Sequence, residues 1–137
     1  MRRVVFIVAV GILFLTACGA ASRSSNSSSH ASPATIPADY AGKKNPYGAE
    51  MASDGDNLFQ TSCQVCHGSQ GHGDGPAAAS LETKPKNLAA FQNTVGDDYL
   101  FWRISEGKPG TAMVAWKGML NEDQIWKIIS FIRTLKE

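Results

Sequence analysis

Several things are scarce in this sequence. Three cysteines among 137 residues are too few for the disulfide framework that staples small secreted domains. Charge of one sign is lacking as well. Lys+Arg number 13 against 12 Asp+Glu, a balance that suggests neither a nucleic acid partner nor a polybasic contact for a membrane. The longest apolar stretch, Val4 to Leu15 with Gly11 inside it, is short of the roughly 20 residues that span a bilayer comfortably. No strand-type pattern flanks the one Cys-x-x-Cys pair, so the βαβ setting of a thioredoxin-like motif is missing. A structural zinc site usually wants four Cys/His ligands, and histidines number only three. The length allows one domain at most.

What is present is Cys63-Gln64-Val65-Cys66-His67, the C-x-x-C-H pattern of covalent haem attachment. Thiols three positions apart share one face of a helical turn, so both can add to vinyl groups along one edge of a porphyrin. His67 then sits under the iron and can supply one axial nitrogen. Two other readings of the same residues stand beside this one. Metal binding would have to recruit Cys18, His30 or His72, and thiol redox chemistry lacks its strands.

Arg2 and Arg3 ahead of the short apolar run fit a secretory signal. Leu15-Thr16-Ala17-Cys18 resembles a bacterial lipoprotein signal-peptide site. That assigns residues 1–17 to the signal peptide and makes Cys18 the lipid-bearing start of an exported chain, held at the outer face of the cell membrane or the periplasmic side of the outer membrane. An ordinary cut near Ala21 and an uncleaved anchor are the other readings. Lipidation also accounts for the odd third cysteine. Residues 18–49 then form the lipidated cysteine and a flexible Ser-rich tether, since Ser22 to Ser32 offers almost no apolar area to offset its ordering entropy. A coil of ~30 residues reaches ~30 Å. Ile36 to Tyr47 is less polar, and it either straps the domain or ends the linker.

Residues 50–137 carry the folded domain. Ser53 or Asp54 caps a first helix that runs into Cys63, with Gly55 and Phe59 on the face of Cys63. Four glycines between Gly68 and Gly75 make a loop, and His72 inside it reads as a solvated residue. Pro76 to Leu81 forms a short helix, and Lys84 to Leu88 is extended. Asp97 or Asp98 caps a helix from Tyr99 to Glu106, buried through Leu100, Phe101 and Ile104 and stopped by Gly107. Asn121 caps the last helix, with Gln124 as its capping-box partner. Ile125, Ile128, Ile129 and Ile132 are its apolar face, with Lys127, Arg133 and Lys136 in solvent. Trp102, Trp116 and Tyr99 are aromatic packing candidates, and an N–H of Trp102, Trp116 or Arg103 is a candidate propionate donor. Met113 lies in the Gly/Pro loop between the last two helices, where it can fold back over the second haem face. A thioether there raises the potential, although methionine is more often core filler.

Residues 53–137 resemble a class I monohaem c-type cytochrome. The resemblance rests on Gly55 and Phe59 ahead of Cys63-x-x-Cys66-His67, on Gly73-Asp74-Gly75-Pro76, on Gly110-Thr111-Ala112-Met113, and on a final helix with Ile128 and Phe131. It implies an all-α cytochrome c fold of three main helices and loops around one covalently bound haem c, with first and last helices crossing at the glycine and aromatic positions. It implies Met113 as the distal ligand opposite His67, and the Pro76 carbonyl as acceptor for the His67 ring N–H. Where the family's loop commonly has proline after the methionine, this chain has Val114.

The expected role is that of an electron carrier, not an enzyme. It would be tethered to a membrane and pass electrons from a membrane oxidoreductase to a terminal oxidase or reaction centre, with no nucleic acid partner. A weaker resemblance, through the Asn45-Pro46 strap and the Gly-Asp-Gly-Pro loop, is to lipid-anchored cytochromes of quinol-oxidising complexes, including alternative complex III. That makes a fixed haem subunit the alternative. An open-iron enzyme or sensor is the third reading, and it needs Met113 off the iron.

Overall fold

Where the apolar periodicity is strongest, the chain makes its three long helices. The computed structural model describes residues 35–137. The signal peptide, Cys18, His30 and the serine-rich stretch lie outside the described residues. Helix α1 spans Ala52–Ser62, α2 Gln64–His67, α3 Leu88–Phe91, α4 Asp97–Glu106 and α5 Glu122–Ile132. Among the described residues there is no strand. None of their helices is long and apolar enough to cross a membrane.

α1 and α5 cross where α1 has no side chain. A Cβ at Gly55 would overlap the Lys127 carbonyl and stand 3.0 Å from the Phe131 Cβ. One turn on, Phe59 is buried and meets Phe131 at 5.0 Å between ring centroids. α4 joins the same core through Leu100, Phe101 and Ile104, which bury against Ile125, Ile128, Ile129 and Ile132. Phe101 stacks on Trp126 at 4.2 Å.

Two of the three expected caps differ. α1 has Met51 at its N-cap, with no side-chain bond, after a 3-10 turn at Ala49–Met51. Ser53 and Asp54 therefore stand in the first turn, where Asp54 still suits the positive end of the helix. α4 starts one residue after Gly96, so Asp97 and Asp98 are inside it. Their carboxylates work elsewhere: Asp97 accepts from the Asn45 backbone N–H at 3.1 Å and Asp98 from that of Gly42 at 3.0 Å. At α5 the capping box forms as expected, Gln124 N to Asn121 Oδ1 at 2.9 Å and Asn121 N to Gln124 Oε1 at 3.0 Å. α3 was not anticipated. Asn87 caps it by accepting from Ala90 N at 3.1 Å, within the stretch read as extended.

Ile36 to Tyr47 straps the domain, so the boundary at residue 50 falls inside packed structure. The Asn45 amide donates to the Trp126 carbonyl at 3.1 Å and to Ser130 Oγ at 3.0 Å. Tyr40 donates to Glu106 and Tyr47 to Asp123. Lys127 and Arg133 are not solvated residues either. Lys127 pairs with Asp123 at 3.0 Å and Asp54 at 3.6 Å. Arg133 grips Asp97 through Nη2 and Nε at 2.7 and 2.9 Å. It also donates to the carbonyls of Val95 and Gln92, tying the end of α5 to the start of α4.

Candidate haem site

α1 and α2 are nearly one helix, broken only at Cys63, whose φ is −116°. Cys63 N still bonds Phe59 O at 2.8 Å, and His67 N bonds Cys63 O at 2.9 Å. Cys63, Cys66 and His67 therefore sit on a continued helical turn, half-buried. Gly68, at φ 78°, ends it. The glycine loop then folds back and satisfies the free carbonyls of α2. Gly73 N bonds His67 O at 2.7 Å, Gly75 N bonds Cys66 O at 3.2 Å, and Ala77 N bonds Val65 O at 2.9 Å. Only glycine fits at 75, where a Cβ would run into α2 carbonyl groups.

These residues open onto a cavity of about 390 Å³, which Met113 lines together with Cys63, Cys66 and His67. That size is typical of a cofactor pocket, on the order of 300–1,000 Å³. Phe59, Leu100, Ile104, Ile128 and Ile132 make its apolar wall. Met51, Met119, His72 and Pro76 do not line it. His72 is exposed, with Nε2 3.4 Å from the Lys136 carbonyl.

Burial sets the protonation states. It pushes the free Cys63 thiol, before any haem is attached, up to about 12, with Cys66 adding to the effect. Burial also lowers His67, against the opposing hydrogen bond to Lys86, which favours the neutral imidazole. Lys86 corrects one expectation. The His67 Nδ1 lies 3.3 Å from the Lys86 carbonyl, not on that of Pro76. With the proton on Nδ1, His67 donates there and its Nε2 is left as an acceptor.

The Met113 loop is held from below. Gly107, at φ 65°, ends α4 and backs onto the Met113 carbonyl, which a Cβ at 107 would approach to 2.5 Å. Lys108 N donates to that carbonyl at 2.9 Å, and Met113 N donates to Thr111 Oγ1 at 3.2 Å.

The residues fit haem on a further count. Arg103 lines the cavity, its guanidinium 4.0 Å over the Trp102 ring and its Nη1 on the Gly107 carbonyl at 2.9 Å. Its Nε is buried with no hydrogen-bond partner. A buried charged donor without an acceptor is costly, and a haem propionate is the kind of acceptor that would relieve it. Trp116 and Tyr99 also line the cavity, whereas Trp102 does not. Among the described residues no three His, Cys, Asp or Glu side chains converge to hold a metal ion on their own.

An all-α fold with thiols, imidazole and thioether around one apolar cavity is the cytochrome c fold, and the chain is a monohaem c-type cytochrome that carries haem c covalently and transfers electrons. Residues 50–132 match the family described as cytochrome c oxidase, cbb3-type, subunit III, and the chain belongs to that family. No curated protein matches it. Among solved structures it is similar to a chain of the Kuenenia stuttgartiensis reducing HAO-like protein complex, at 23% identity and a TM-score of 0.56. That match covers 64% of this chain and 44% of the other, so the present chain spans under half of that relative. The c-type cytochrome KustC0563 is similar at 24% identity and a TM-score of 0.53, over 61% of this chain and 98% of its own. Cytochrome CL of the marine methylotroph Methylophaga aminisulfidivorans matches at 31% identity and a TM-score of 0.46, over 64% and 54%.

Proposed function

We infer that this cytochrome is a membrane-tethered carrier passing one electron at a time between redox proteins outside the cytoplasm. The observation that carries the reading is that two thiols and one imidazole from the α1–α2 turn and one thioether from the α4–α5 loop open onto the same cavity. Cys63 and Cys66 would hold haem c through thioethers, with His67 and Met113 as axial ligands. When bound, haem c supplies the one-electron couple. His67, oriented by the Lys86 carbonyl, presents Nε2. Met113 supplies a soft sulfur that favours the reduced state. Leu100, Ile104, Ile128 and Ile132 exclude water, and Arg103 gives its unpaired Nε to a propionate.

The rim suits an acidic partner. Lys84, Lys86 and Lys108 line the cavity with Arg103, and among the described residues no Asp or Glu does, although the chain holds 12. Exposed Val65 and Val114 stand in the same wall. A positive rim around a small apolar patch favours quick, transient docking. Cys18 would carry the lipid and residues 18–34 the tether. Confinement near a membrane oxidoreductase donor and an oxidase or reaction-centre acceptor raises effective concentration.

A second reading is a fixed haem subunit of a larger membrane complex, with a quinol-oxidising complex such as alternative complex III as the candidate; the family's description as an oxidase subunit supports the subunit role alone. The test of both is an absorption spectrum of purified oxidised and reduced protein with a carbon monoxide challenge. The weak near-infrared band of methionine–ferric haem ligation, with no carbon monoxide binding, is expected. Its absence with ready carbon monoxide binding would overturn the carrier reading in favour of an open iron. Purification from native membranes as a lone lipid-modified chain, not with partner subunits, separates carrier from subunit.

A further inference from the structure

The strap and the cavity take different faces of the same two helices. On α5 the strap reaches Asp123, Trp126 and Ser130, while Ile128 and Ile132 face the cavity. On α4 it reaches Asp97, Asp98 and Glu106, while Leu100, Arg103 and Ile104 face the cavity. Among these contacts of the described residues, the one to Glu106 adjoins the loop that carries Met113.

Glu106 is the last residue of α4 and accepts from the Tyr40 hydroxyl. It also pairs with Lys117 at 3.6 Å. Glu106 and Lys117 therefore close the two ends of the loop that carries Met113. Trp116 N to Ile104 O at 3.1 Å and Lys117 N to Ser105 O at 3.0 Å complete that closure. Next to Glu106, Lys108 N holds the Met113 carbonyl, and Gly107 without a side chain lets that carbonyl approach. A cavity of about 210 Å³ lies among Tyr40, Ser105, Lys117 and Leu120. Packing is thus incomplete at this end of the strap, and the phenol–carboxylate bond is its tie to the loop.

We propose that Tyr40 is a positioning residue for Met113: through Glu106 the strap latches the base of the ligand loop and sets how readily Met113 yields its place to a competing ligand. The proposal rests on the reading of Met113 as an axial ligand. A latch in the segment that joins domain to tether would couple pull on the tether, or partner contact on the strap, to ligation.

The test uses full-length haem-loaded protein, titrated with imidazole and followed by the near-infrared methionine band. Tyr40→Phe is compared with Tyr47→Phe, which removes the matching phenol–carboxylate bond to Asp123 at the other end of the strap. Loss of one such bond predicts displacement at imidazole concentrations lower by about threefold to tenfold in Tyr40→Phe, and no change in Tyr47→Phe. Equal shifts in both variants, or none in Tyr40→Phe, would overturn the latch. A wild-type protein without the band overturns the axial assignment and the latch with it, and does so before any strap substitution is made.

Discussion

Gly73 and Gly42 make a matched pair for testing how the site is built. Both have φ 79°, so alanine at either meets the same left-handed strain, about 1–2 kcal/mol. They differ in what a Cβ would touch. At Gly42 nothing lies within 4 Å. At Gly73 the Pro85 carbonyl oxygen is 2.7 Å away, and the carbon and oxygen of the Lys86 carbonyl are both at 3.3 Å. That Lys86 oxygen is the one facing His67 Nδ1. Backbone cannot swing aside as a flexible side chain does, so overpacking adds about 1–3 kcal/mol at 73 alone. Denaturant unfolding of the haem-loaded protein should therefore show Gly73→Ala less stable than Gly42→Ala by about that margin. The displaced loop also weakens the His67 hydrogen bond and so its basicity, which moves the reduction potential of Gly73→Ala upward and leaves that of Gly42→Ala in place. Equal stability losses and equal potentials in the two variants would refute the close approach of these loops beneath the imidazole.

Gly55→Ala should destabilise the protein by about 2 kcal/mol in unfolding measurements, because overlap with the Lys127 carbonyl outweighs the better helix propensity of alanine; Asn57→Ala, on the exposed side of α1, should be neutral or slightly stabilising. Arg133→Lys should lose about 2 kcal/mol in the same assay, since lysine lacks the fork that holds Asp97 and two carbonyls together. Tyr40 is pushed up to about 12 from 10.0, chiefly by its bond to Glu106 and then by burial. The folded state thus keeps a proton that the unfolded chain releases, so the contribution is full below pH 10.0 and fades as pH rises toward about 12. Unfolding midpoints at rising alkaline pH should fall more steeply in wild type than in Tyr40→Phe.

The interactions legible in the sequence are those whose partners sit within one helical turn. The Asn121 capping box and the Gly107 stop depend only on near neighbours, and both stand where periodicity and cap residues put them. Asp97 and Asp98 follow the same local rule and yet do not cap. Their carboxylates are held by Asn45, Gly42 and, for Asp97, Arg133, and a local rule has no term for partners so far away. The choice between strap and linker for Ile36 to Tyr47 stays open in the sequence for the same reason. The strap's bonds to Glu106, Asp123 and Trp126 span 66 residues or more. Only the half-buried alternation of Lys43, Asn45 and Tyr47 hints at an inward face.

The site divides along the same line. Cys63, Cys66 and His67 are legible because covalent attachment fixes their spacing on one helical turn. The place of Met113 on the cavity is legible only through loop context and family resemblance, and the loop's course depends on Gly107 meeting the Met113 carbonyl. The support for His67 is less local still. The backbone around Pro76 is spent on α2, with Gly75 and Ala77 donating to Cys66 and Val65. Gly73 meanwhile lets Pro85 and Lys86 come close, which puts the Lys86 carbonyl at the ring. The carbonyl that stands beside the imidazole is therefore chosen by where two loops touch. The sequence mark of that contact is a glycine whose missing side chain makes room for it.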